Sequence, residues 1–159
     1  SKRRQTLTVP VEQTGKHGGM SKKEMRISDH GNWRHVHWNA LMSAYGESAF
    51  FDYYADDVKP FFQKRWTWLL DFNEAIIYKM CELLDIHPDI SHTSHFVCPN
   101  GNLEADDYRY AISPKNHEQD SGFIPSQYYQ VYAMRNGFQP NLSILDLLFN
   151  MGNESIFYL

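Results

Sequence analysis

The sequence predicts an α+β fold, a single helix-rich domain over residues 1–159 with a few short strands. Three observations carry this expectation. Apolar residues recur at helical spacing in three separate stretches. Short β-prone runs lie before and between them. At 159 residues, 42% of them hydrophobic, the chain can bury one core and is too apolar to be disordered.

The first element is Leu7–Val11 (LTVPV), a short strand that Pro10 confines to an edge or an end because proline has no N–H. Residues 14–21 (TGKHGGMS) read as a polar, glycine-rich connection. The stretch Ser28–Tyr45 (SDHGNWRHVHWNALMSAY) comes next, and the rest of the chain is organised around it. Asn32 is a suitable N-cap, and Gly46 falls where a left-handed residue often ends a helix. Trp33, His37, Leu41 and Tyr45 recur every four residues and share one face.

Residues 48–54 (SAFFDYY) read as a helical turn against the core. Asp56, Asp57 and Pro60 mark a helix start. From Val58 to Leu84 the apolar positions keep helical spacing. A helix of that length spans roughly 40 Å, and a bend or break is expected near Asp71. Residues 86–103 are loop-like, with Phe96-Val97 and Tyr108–Ile112 as strand candidates. Lys115–Gly122 reads as a surface loop, and Tyr128–Met134 as either strand or helix. The last helix is well signalled. Ser143 and Asp146 approximate a capping box, Ile144, Leu147, Leu148 and Met151 form a core stripe, and Gly152 is a natural end.

Net charge is −4, so a general nucleic-acid footprint is absent. Residues 1–38 nevertheless carry +5 and the remainder −9. A basic front of this kind meets a phosphate or acidic ligand, or is simply a solvated loop. Cys81 and Cys98 form neither a disulfide framework nor a zinc motif, which fits a reducing cytoplasm. No apolar run approaches the roughly 18 residues of a membrane span, and no signal peptide is visible. The chain starts at Ser1, so an N-terminal portion is expected to be missing. GxGxxG, P-loop, GxSxG and HExxH motifs are absent, which removes the chemistries they announce.

Four constellations can carry chemistry. His30 and His37 are candidate proton-transfer groups, with Asp29 able to orient His30, while His35 reads as a surface residue. Two positions apart on a helix, His35 and His37 diverge, which argues against a metal pair. His87, His92 and His95 could offer imidazole ligands, but their spacing matches no zinc motif. Arg34 and Arg109 can hold a phosphate or carboxylate, or pair with acidic neighbours. Asn141, Ser143 and Asp146 read as caps at a helix end that could also favour an anion. Trp33, Trp38 and Tyr45 would shape a pocket around these groups.

Several stretches, taken together, resemble the WbqC-like protein family. They are LTVPV at 7–11, the long block at 26–57, DYRYAISPK at 107–115, and YYQVY followed by FQPNLSILDLLFNMGNESIFYL. The family pattern stands here as Trp33-Arg34, His37-Trp38, Leu41 and Ser43-Ala44-Tyr45, then Phe50-Phe51 with Tyr53-Tyr54, then Asn141–Gly152. The resemblance implies a context among genes for O-antigen and other bacterial surface polysaccharides. It implies no mechanism and names no cofactor. The expectation is a cytoplasmic group transferase acting on a sugar nucleotide or another activated donor. His37 or His30 would be the base, and Arg34 with Arg109 would hold an anionic group. A non-catalytic binding or scaffold module of the same pathway is the alternative, and a metal-dependent enzyme a third. The partner in each reading is a small molecule or a glycan.

Overall fold

A computed structural model describes residues 5–12, 22–98 and 124–159. The described helices are α1 (Trp33–Tyr45), α2 (Phe51–Val58), α3 (Pro60–Gln63), α4 (Leu69–Leu83), α5 (Ala133–Asn136) and α6 (Ile144–Met151). Short 3-10 segments cover Lys22–Glu24 and Gly152–Tyr158. The chain divides into two compact units, Ser1–His87 with Ser126–Leu159, and Pro88–Pro125. All six helices belong to the first unit. In the second, the described residues 88–98, 124 and 125 are irregular.

Among the described residues there is no β-strand, so the α+β expectation gives way to a helix-rich, essentially all-α fold. Leu7–Val11 pairs at one rung only, Val11 with Ile27, and a second isolated rung joins Arg26 to Trp68. Pro10 offers no N–H to lengthen the ladder, although its carbonyl accepts from Ser28 N at 2.9 Å. Phe96 and Val97 are irregular, and the Tyr108–Ile112 candidate lies outside the described residues. Tyr128–Met134 resolves into a turn leading into α5.

Helix α1 buries Trp33, His37 and Leu41, the face that four-residue spacing predicts. Asn32 is its N-cap residue but makes no side-chain cap bond. Gly46 closes it in a right-handed conformation (φ −58°), not the left-handed one expected. Glycine is needed there for space, since a Cβ would stand 2.6 Å from the Met42 carbonyl oxygen.

The long helix expected from Val58 to Leu84 is broken earlier than Asp71. Helix α3 stops at Gln63, Lys64 and Trp68 are extended, and α4 starts at Leu69. Tertiary pairing overrides the spacing. Ile27 N donates to Thr67 O and Leu69 N to Met25 O, both at 2.9 Å. These bonds hold residues 67–69 against 25–27.

The core lies in two clusters. Leu41, Phe51, Tyr54, Val58, Met80, Leu148 and Phe149 make the larger. Ile27, Trp33, Phe61 and Phe72 make the smaller. Phe149 and Leu148 are wholly buried, so α6 is the central strut. Phe50 N donates to Phe149 O at 3.0 Å and ties the start of α2 to it. Gly152 ends α6 at φ +57°, as expected of a left-handed terminus.

Candidate functional site

The residues predicted to act do not gather in one place. His37 is buried in an aromatic cage, 5.1 Å from the Trp33 ring and 6.1 Å from Phe62 between centroids. Burial lowers its pKa, and a hydrogen bond to the Thr8 backbone opposes that shift. His30 is exposed, and its backbone N–H donates to Ser28 Oγ. Trp33 is a core residue whose Nε1 donates to Ser28 O. Trp38 stacks on Phe51. Arg109 lies outside the described residues. Of the cysteine and histidine readings, His87 pairs with Asp85 at 3.1 Å, and His95 Nδ1 lies 2.8 Å from Ser94 Oγ. Among the described residues, no three His, Cys, Asp or Glu side chains gather as a metal ion would require.

Tyr45, read from the sequence as a pocket residue, leads to a site in which Asp146 does more than cap a helix. It lines a cavity of about 420 Å³ in the first unit, between α1, the segment 130–146 and the N-terminal strip at Gln5 and Leu7. At its wall Asp146 is 5% exposed. Asp146 Oδ2 accepts from the Tyr128 hydroxyl at 2.6 Å and from Gln130 Nε2 at 2.9 Å. The Tyr45 phenol stands near the same carboxylate. Burial first, then the neighbouring carboxylate, push both phenols well above the usual tyrosine range.

An ionised carboxylate taken out of water costs several kcal/mol unless other groups replace its solvation. Among the described residues no cation pairs with Asp146, so neutral donors meet this need. Gln130 is itself held from both ends, donating to Gln139 O and accepting from Gln139 N at 2.9 Å each. That reciprocal pair closes the loop carrying α5. Asn150 adds a second clasp, donating to Asp146 O at 2.7 Å and accepting from Val131 N at 3.0 Å. Asp146 sits in the first turn of α6, where the sequence reads it as half of a capping box. Ser143 does cap, its Oγ accepting from Leu145 N, but the Asp146 carboxylate serves Tyr128 and Gln130. The only early signal is that Asp146 stands within an otherwise apolar run.

Among the described lining residues Asp146 is the one charged side chain. The others are aromatic, amide, hydroxyl and aliphatic groups, such as Phe62, Tyr132, Asn136 and Gln139. The lining thus sets amide and carboxylate groups beside aromatic and aliphatic ones.

The WbqC-like protein family model matches residues 1–115. The chain belongs to the WbqC-like family. The match takes in α1 and Tyr45, whereas Tyr128, Gln130 and Asp146 fall beyond it. This WbqC-like chain is also similar to the Uncharacterized protein Rv1507c of Mycobacterium tuberculosis, with 27% identity over 98% of the chain and 75% of the relative. No solved structure matches it. Among its described residues no helix is long and apolar enough to cross a membrane.

Proposed function

We propose that this WbqC-like protein is a cytoplasmic group transferase of O-antigen or other surface-glycan biosynthesis, and that the cavity beside Asp146 receives the sugar of an activated donor or its acceptor. The observation that carries the reading is the buried Asp146 carboxylate on the wall of a cavity otherwise lined, among the described residues, by uncharged groups. Buried ionisable groups held in a cavity are candidates for function. Two donors, Tyr128 and Gln130, occupy part of the carboxylate's acceptor capacity, and its remaining lone pairs can take a substrate hydroxyl. As that hydroxyl oxygen bonds to the transferred group, its proton passes to Asp146. The leaving group departs with the electrons of the bond it breaks. Asp146 thus takes the proton-accepting role expected of His30 or His37, neither of which lines the cavity.

The test is to replace Asp146 by Asn and Tyr45 by Phe, singly, in a cell that makes the glycan. Loss of the glycan with folded variant protein supports the reading. Glycan intact in both variants overturns it. A binding module would use the same cavity without turnover, so donor consumption by purified protein separates the two.

A further inference from the structure

A second hollow, of about 380 Å³, lies against the amino-terminal end of α1 and the junction of α2 with α3. Its described lining includes Arg34, His35, Trp38, Lys59, Phe62 and Gln63, with two cations and no carboxylate. Arg34 is only 15% exposed at its side chain, and its guanidinium stands 4.7 Å over the Trp33 ring. Nη2 lies 2.6 Å from Asp29 Oδ1, but without the angle of a hydrogen bond, and the buried Nε has no acceptor. Nε and Nη2 are both closed to solvent, so Arg34 acts on the hollow through its charge, which it shares with Asp29. Lys59 brings the second charge, with Nζ 5.9 Å over the Trp38 ring. Helix α1 has no acidic residue in its first turn and no side-chain cap, so its positive end adds to the field.

The hollow and the Asp146 cavity share one wall, Phe62. The cavity repels phosphate, because its one charged lining group is an anion. An activated sugar must therefore place its phosphate elsewhere. We propose that the hollow of Arg34 and Lys59 is a phosphate subsite, holding the phosphoryl group of the activated sugar whose ring occupies the cavity across Phe62. This rests on the function proposed above for that cavity. Arg34 adds its charge from the wall, and Lys59 a point charge at the mouth.

Calorimetric titration of the full chain with inorganic pyrophosphate tests the subsite. The wild-type protein is expected to bind it, less tightly as salt rises. Arg34→Gln and Lys59→Gln are each expected to weaken binding roughly tenfold, and Asp146→Asn to leave it unchanged. Lys59 is exposed, so its variant keeps the test alive should Arg34→Gln fail to fold. No pyrophosphate binding, or binding that both variants leave intact, overturns the subsite. Pyrophosphate binding lost in Lys59→Gln supports the subsite even if Asp146→Asn turns over donor normally, an outcome that sinks only the cavity reading.

Discussion

The Tyr128 hydroxyl donates to Asp146 Oδ2 at 2.6 Å, across eighteen residues of chain. The bond joins the segment before α5 to the first turn of α6 and fixes one wall of the cavity. Short bonds to an ionised acceptor are stronger than neutral ones, worth about 1.5–3 kcal/mol. Tyr128→Phe should therefore lower the melting temperature by roughly 3–12 °C at the size of this chain. Thermal denaturation followed by circular dichroism measures it. No change would place the bond outside the energetics of the wall.

Asp146→Asn puts an amide donor where two donors, Tyr128 and Gln130, converge. One of them loses its acceptor, at a cost of about 1–3 kcal/mol. The same change removes the anion that helps keep Tyr45 and Tyr128 protonated. Their phenolate absorbance is expected to rise at lower pH in the variant than in the wild-type protein. Identical tyrosine titration curves would contradict the arrangement.

His37 gives a pH dependence of definite sign. Burial holds it below its ordinary value of 6.5 in the folded chain. As pH falls, the unfolded chain takes up this proton first. The contribution of His37 is thus complete above pH 6.5 and declines as pH falls through 6.5 toward the lowered folded value. One proton gives a slope of at most about 1.4 kcal/mol per pH unit. His37→Phe, which keeps a ring in the cage, should flatten the stability curve in that window. Chemical denaturation at a series of pH values compares the two proteins. Equal slopes would show that His37 does not titrate differently on folding.

Gly152→Ala should destabilise by roughly 1–3 kcal/mol. The backbone there has φ +57°, and a Cβ would stand 2.7 Å from the Phe50 ring. An urea midpoint equal to that of the wild-type protein would show that the ring yields freely.

Much of the helical frame was legible because its signals are local. The four-residue recurrence of Trp33, His37 and Leu41 marks the buried face of α1. Ser143 and Gly152 bracket α6 because caps depend on neighbours within a turn. The break between α3 and α4 was misplaced because it is decided by Met25 and Ile27, some forty residues away in sequence. The strands were over-read because β-propensity describes a surface that still needs a partner, and Pro10 limits the partnership. The site was partly visible. Tyr45 lines one hollow and Arg34 the other. Asp146 was hidden because capping and network formation ask for the same residue type, and only distant partners decide between them.

The strip holding Gln5 and Leu7 belongs to no helix, yet it covers one side of the cavity. It is pinned just beyond those residues, at Pro10 by the amide of Ser28 and at Glu12 by the carbonyl of Arg26. The enclosure is therefore partly a flap on two fasteners, and neither fastener faces its contents. Substitutions that loosen the fasteners would widen the mouth and speed exchange of whatever sits inside, while every lining side chain stayed the same.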